Sequence, residues 1–593
     1  MSQRGRILGG AICGLGLVLA AGCNGDILDL NYSPPGDPAP GDPNQPGDPK
    51  QPGGPTTALP PERPATPAPG VKPPGSAVRC ENEVVATRVL RRLTNVELET
   101  TIRTAFGLDD SAWKGPSFIP DPASGDGFTN NTDRLGVGDE YAKRLIEAGK
   151  DVADVVVSAT QLPRILPCAG AATEACAGTF VDTIGARLFR RPVLAAERER
   201  YLGLYRKVRA AGNDFATGVR WLTVGLVKSP NTVYRSELGE SAGGKFKLAP
   251  YEVASELSYA FTGGPPPADL LALAAAGRLG TPDDLEAAAR ALIYQPGGQQ
   301  LRPAFRAQVL RFVDQWLGLS PLANINKDAT LFSDFTPEVQ DALAGEIQNF
   351  VTGVLFDDKG KPADLMTAPF TYLNARLATF YGFGQAEAVG DDFVRVARPA
   401  NWGLGLVAQG AILSIAASNK TTSPTKRGHL VRERFLCTTV PPPPAVVAPL
   451  PEPTEAETTR QRYEKLHVAA DECKGCHALM DNIGFGLEHL DTTGRYRAVE
   501  GRFDIDDSGA LASTSAGDLK FKGSAELARA LGQLPEVSDC MADFASAYAF
   551  GLNHGGAGCI AREGGDQLRA GKIGFVDFLI KMARAESFRT RLP

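Results

Sequence analysis

The chain has 593 residues, with 68 acidic and 62 basic side chains and a formal net charge of −6. That balance is mild for the length, and no stretch packs Lys and Arg densely enough for a nucleic-acid surface, so no nucleic-acid partner is expected. Beyond the N-terminus no run of 18 or more apolar residues occurs, which excludes a further membrane-spanning helix, and the length exceeds what one ordinary core fills.

Arg4 and Arg6 precede an apolar stretch at residues 8–21 that is too short to cross a bilayer and reads as a signal peptide. It ends Leu19-Ala20-Ala21-Gly22-Cys23, which resembles a bacterial lipobox. The resemblance implies a lipoprotein signal at 1–23, acylation of Cys23 and a membrane partner held through that lipid anchor. The expected location is the cell envelope of a bacterium, with the outer membrane as the address. Residues 24–79 are Pro, Gly and Asp with few large apolar side chains. Such a composition cannot bury enough surface to offset chain entropy, so a disordered Pro/Gly-rich tether is expected.

The folded body then begins sharply. Thr94-Asn95-Val96-Glu97 is a capping box, with Leu93 and Leu98 at the staple positions. Leu98, Ile102 and Phe106 form an apolar stripe that Gly107 stops. Further helices are expected over 139–160, from Thr179 to about Arg190, over 195–211 and over 215–227. Val253, Leu257 and Phe261 repeat the stripe from Pro250, the run Pro265-Pro266-Pro267 breaks it, and 270–279 resumes it. Another helix ends at Arg311-Phe312-Val313-Asp314-Gln315-Trp316-Leu317. Thr336-Pro337 marks a helix start whose buried face is Val339, Leu343, Ile347, Val351, Val354 and Leu355. Residues 524–591 are helical again, with Phe544, Tyr548 and 575–580 as core. Alternating strands are scarce, so the fold class is mainly α, a multi-helical body.

One short stretch carries chemistry: Asp471-Glu472-Cys473-Lys474-Gly475-Cys476-His477. Two cysteines two residues apart, followed by histidine, are the attachment pattern of a c-type haem. In a helical turn Cys473 and Cys476 share a face and His477 comes round beside them as the proximal iron ligand. Haem c is therefore the expected cofactor, held by Cys473, Cys476 and His477. His467, ten residues earlier, is a candidate distal ligand; His489, Met541 and His554 are others, and an open iron is the alternative. Met480, one turn from His477, reads as core packing. The rival chemistries are zinc on His467, Cys473, Cys476 and His477, and a Cys473–Cys476 redox pair. Arg427, Arg432 and Arg434 could meet haem propionates or an acidic partner, or be solvated helix charge. The run Pro441-Pro442-Pro443-Pro444 reads as an extended connector. Asp504-Ile505-Asp506-Asp507-Ser508-Gly509 opens like a calcium loop, but Ser515 stands where the last acidic ligand belongs.

Ten cysteines are present. Apart from Cys13 and Cys23 of the signal and the two of the haem motif, Cys80, Cys168, Cys176, Cys437, Cys540 and Cys559 remain. An even remainder in an exported chain points to disulfides. The local pairs Cys168–Cys176 and Cys540–Cys559 are expected, which leaves Cys80 with Cys437.

Several blocks follow one another in order: Arg91-Arg92-Leu93-Thr94, Phe189-Arg190-Arg191-Pro192, Tyr234-Arg235-Ser236-Glu237, Leu257-Ser258-Tyr259, Tyr372-Leu373-Asn374 and Thr422-Ser423-Pro424-Thr425-Lys426-Arg427-Gly428. They end with the Cys–His motif and Met480-Asp481, Gly484-Phe485-Gly486-Leu487-Glu488, Asp491 and Gly494-Arg495. Together these resemble the secreted planctomycete-type cytochrome c proteins, built of consecutive domains of unknown function, with a myxobacterial-like lipoprotein member as the expected kind. The resemblance implies a tether at 24–79, helical domains at 80–160, 161–240 and 241–390, a cytochrome c-like haem segment at 391–500 and a C-terminal helical domain at 501–593. Electron transfer with a redox partner protein is the first functional expectation. A haem-dependent oxidase or peroxidase and a surface scaffold are the alternatives, so enzymatic activity stays open.

Overall fold

The computed structural model describes residues 83–298, 300–383, 390–440, 454, 456–467 and 471–593, with only the backbone described at 466, 467 and 471–473. Cys23, the tether and Cys80 lie outside these residues. The first described helix is Asn95–Phe106, and its start is the expected reciprocal cap. The Glu97 amide donates to Thr94 Oγ1 at 3.2 Å, and the Thr94 amide donates to the Glu97 carboxylate at 2.8 Å. Leu93 and Leu98 are fully buried at the staple positions, and Gly107 closes the helix in the left-handed region.

Around that helix stand Asp139–Val156, Glu174–Phe189, Ala195–Ala210 and Phe215–Val227, which share one apolar core through Ile102, Val152, Ile184 and Leu222. The helix expected to open at Thr179 begins at Glu174 instead. Thr173 caps it by accepting the Cys176 amide. The first turn holds no large apolar side chain, so periodicity did not reveal it, whereas the cap does. This earlier start also carries Cys176 into the helix, and the Cys168–Cys176 disulfide forms as expected.

The second, larger core runs from Pro250–Thr262 to the C-terminus and includes Phe128. Its central helix, Pro337–Thr352, buries all four of its predicted stripe residues, and Val354 and Leu355 follow them in a π-helical turn at Gly353–Asp357. Thr336 stands at the cap position with extended backbone, but its hydroxyl makes no capping bond there. The C-terminal helices Gly523–Gln533, Pro535–Phe550, Gly558–Arg569 and Phe575–Met582 bury Phe544, Tyr548 and Phe578 as expected.

Strands are short and fall in small sheets of two or three. The periodicity did not reveal them, because most described strands have two to four residues, and the longer pair Ser508–Thr514 and Gly517–Lys522 buries only one residue on each strand and so shows no alternation. One pair matters most. Val89–Arg92 runs antiparallel to Tyr234–Glu237 with Arg91 opposite Arg235, and Thr590–Arg591 near the chain end pairs with Lys245–Lys247. These pairings gather Arg91, Arg235 and Arg591 around the buried Glu237, at 2.8, 3.1 and 2.8 Å. Glu256, from Pro250–Thr262, reaches Arg235 at 3.3 Å and Arg591 at 3.1 Å. Burial favours the neutral acid, but at Glu237 the fields of Arg91, Arg591 and Arg235 outweigh it and hold the carboxyl well below its usual range. At Glu256 burial, with repulsion from Glu237, wins and pushes the carboxyl up. Arg91 also donates to the Phe550 carbonyl at 2.6 Å, so the end of Pro535–Phe550 joins the same cluster.

The remaining cysteine pairing differs from expectation. Cys540 is bonded to Cys437, not to Cys559, with the Cα atoms 5.3 Å apart. Helix Pro424–Phe435 packs on Pro535–Phe550, and Cys437 leaves it with positive φ (49°), which brings the thiol onto the neighbouring helix. Cys559 is disulfide-bonded as well.

Replacing Glu237 by Gln leaves three buried guanidinium groups with one carboxylate. The expected loss is about 3–5 kcal/mol, as for breaking any buried ion pair, read as a lower midpoint in chemical denaturation.

Candidate functional site

The Cys–His motif lies on helix Asp471–Phe485, which packs along Pro424–Phe435. Two glycines set the approach. A Cβ on Gly428 would sit 1.9 Å from the Met480 carbonyl oxygen, and one on Gly484 would sit 2.1 Å from that of Pro424. Only backbone without side chains can come this close. Met480 itself is buried, in keeping with its reading as core.

Ser423 caps Pro424–Phe435, and the Tyr463 hydroxyl donates to its oxygen at 3.2 Å. Thr425, in the first turn, is thereby held against the other helix. Its hydroxyl donates to Asp481 Oδ1 and lies 3.5 Å from His477 Nδ1. His477 and Asp481 are one helical turn apart, and Nδ1 lies 3.2 and 3.1 Å from the two carboxylate oxygens. Asp481 is only 5% exposed. Cys476 is the free cysteine among the described residues and is half-buried. Beside it, a Cβ on Gly475 would meet nothing within 4 Å.

The rest of the motif braces this helix. Arg427 is buried and donates to the carbonyls of Leu487, Leu490 and Asp491 at 2.8, 2.8 and 2.7 Å. Glu488 accepts from Thr422 at 2.7 Å and Arg497 at 2.8 Å, and burial raises its pKa in spite of Arg497 and Arg427. Burial also lowers Arg427 to about 10. Asp491 accepts from the amides of Thr493 and Arg495 and closes a turn. Lys327 donates to Ser414 O, Ser418 O and Thr492 Oγ1, and burial, with Arg427 and Lys426, lowers it to about 8. Nothing in the sequence pattern marked Lys327, since a lone lysine in a loop is ordinarily solvated.

The other candidate residues stand among protein partners. Arg427 and Arg432 are not solvated helix charge but are buried against backbone carbonyls. Arg432 donates to the carbonyls of Leu479 and Ala512, and Arg434 to that of Asp126. Of the distal candidates, His489 bonds through Nδ1 to Arg497 O at 2.8 Å, and Met541 is buried in Pro535–Phe550. His554 sits between Asp543 at 3.3 Å and Asp126 at 3.8 Å. The side chains of His467 and Cys473, and the run 441–444, lie outside the described residues. At the calcium-like loop, Asp506 accepts from the Ser508 amide and hydroxyl and lies 3.4 Å from Arg460, so its carboxylate already has protein partners. Among the described residues the one group with metal-ligand spacing is Cys437, Asp543 and His554, and its thiol is bonded to Cys540.

The fold and this helix define a mainly helical protein assembled from serial domains. Four family models match in succession: PSD3, protein of unknown function (DUF1587), at 91–158; PSD5 (DUF1595) at 176–237; PSD4 (DUF1592) at 248–383; and PSCyt3 (DUF1588) at 404–500. The chain belongs to the planctomycete-type cytochrome c domain series, whose members carry these domains of unknown function one after another. The PSCyt3 match contains the whole Cys–His helix. No curated protein and no solved structure matches the chain. Among the described residues no helix is long and apolar enough to cross a membrane.

Two outcomes follow from this geometry. Gly428→Ala should lower stability by about 1–3 kcal/mol through overpacking against backbone, whereas Gly475→Ala, in open space, should raise it by about 0.5–1 kcal/mol; paired urea titrations decide. The hydrogen bond to Asp543 raises the His554 pKa above 6.5; burial opposes it, Asp126 adds to it and Arg434 subtracts. A raised folded pKa gives stability that is fully present below 6.5 and lost as pH rises through the folded value. His554→Asn should remove that slope, measured as denaturation midpoint against pH.

Proposed function

We propose that this chain is an exported, membrane-anchored c-type haem protein that carries out electron transfer or surface redox chemistry. The observation that carries this reading is the Cys–His helix inside the PSCyt3 match, where a free Cys476 thiol adjoins a histidine ring steered through Nδ1 by Asp481. The donor set fits the group. Cys473 and Cys476 would supply the two thioether sulfurs. His477 would bind iron through Nε2, since Nδ1 is committed to the carboxylate. When attached, the porphyrin iron supplies reversible one-electron chemistry. The chain contributes a helix braced by Arg427 and Glu488, and a ring orientation fixed by Asp481. Zinc is disfavoured because Cys476 and His477 are adjacent and their side chains are awkward for one tetrahedron. The N-terminal sequence supports a lipid on Cys23, with the tether spacing the helical body from the membrane.

Mature protein should show one haem mass on the peptide that contains Cys473 and Cys476, an acylated Cys23, and a reduced-minus-oxidised haem spectrum. Carbon monoxide binding by the reduced protein would indicate an accessible iron and assign substrate chemistry rather than carriage alone. Unmodified thiols at both cysteines would remove the reading.

A further inference from the structure

The contacts of His477 point beyond attachment, to the electronic character of the site. Nδ1 lies 3.1–3.2 Å from both oxygens of one carboxylate, four residues on in the same helix. That carboxylate is almost wholly buried, so solvent and salt screen it weakly. It is also fixed: the Thr425 hydroxyl donates to Oδ1, and the crossing at Gly428 and Gly484 fixes where Thr425 stands. The pair is thus built from two helices and does not rest on a flexible surface side chain.

A carboxylate that accepts the second N–H of a ligating imidazole makes the ring more basic and fixes its tautomer. A more basic ring donates more electron density to iron. The buried negative charge acts in the same sense, because the oxidised iron centre carries one more positive charge than the reduced one. Both effects stabilise the oxidised form. Resting on the haem reading above, we infer that Asp481 is a positioning residue that makes His477 a strong donor ligand and holds the site at low reduction potential, so that it gives electrons to its partner. The step is a one-electron transfer: the iron loses one electron, and a one-electron redox protein of higher potential gains it.

The test is a spectroelectrochemical titration of the full haem-loaded chain and its Asp481→Asn and Thr425→Val variants. At the wild-type midpoint, Asp481→Asn should raise the reduced-to-oxidised ratio at least tenfold, which is 59 mV for one electron. Thr425→Val keeps the shape but removes a competing donor from the carboxylate, and should shift the ratio the other way, at least twofold. A residue that merely supports the fold would not give opposite signs. Haem present with a ratio unchanged in Asp481→Asn overturns the inference and leaves the cytochrome reading intact. Should Asp481→Asn fail to fold, Thr425→Val alone decides, and an unchanged or raised ratio overturns the inference. Wild-type protein without covalent haem overturns both.

Discussion

The structure depends on one buried carboxylate. Glu237 gathers guanidinium groups from the first strand, from its own strand and from the last strand of the chain, at separations of 2.8–3.1 Å. An uncompensated charge at that depth would be prohibitive, so the arginines must arrive for the acid to stay ionised, and their arrival brings both ends of the folded body together. Tyr259 extends the same junction between the two apolar cores. Its hydroxyl lies 2.6 Å from that of Thr101, with Arg235 over its ring. The helices are stabilised by apolar burial, but their assembly is specified by charge.

The same logic recurs at the Cys–His helix on a smaller scale. Glycines let two backbones touch, Arg427 satisfies three carbonyls where the chain turns away, and Glu488 balances the arginine. Most of these polar atoms are buried and partnered, with Arg427 Nε and Glu488 Oε1 left without a hydrogen bond, and the network braces the helix against its neighbour. Arg190 does comparable work in the smaller core. In the left-handed region and buried, it donates to three carbonyls of the Ser229–Tyr234 turn and to that of Leu188.

Local features were legible in the sequence. The Thr94 cap, the stripe of Pro337–Thr352 and the Cys168–Cys176 pair follow from neighbours within a few residues, and periodicity and capping report such neighbours directly. The Glu237 cluster was visible only as separate arginine-containing blocks, because nothing local says that Arg91 and Arg591 meet. Arg427 and Arg432 were misread for a related reason. Helix-borne charge is usually solvated, and only tertiary packing reveals that backbone carbonyls have replaced water. The Cys437–Cys540 bond was hidden likewise, since helix packing and not proximity along the chain chose the partner. The His477–Asp481 pair was within reach, because an i, i+4 spacing on a helix already places the two side chains together.

The Cys437–Cys540 bond closes a covalent loop of 103 positions, and helix Asp471–Phe485 with its unpaired Cys476 lies inside it. Closing a loop of that size removes about 4.7 kcal/mol of chain entropy from the unfolded state. It also imposes an order of events on maturation. Cys476 stands in sequence between the two loop-closing cysteines, so the observed pairing requires that they find each other across it and leave it free. Faulty capture of Cys476 by either loop-closing cysteine would tie the helix shut on the wrong partner, which makes thiol sorting a step of biogenesis in its own right.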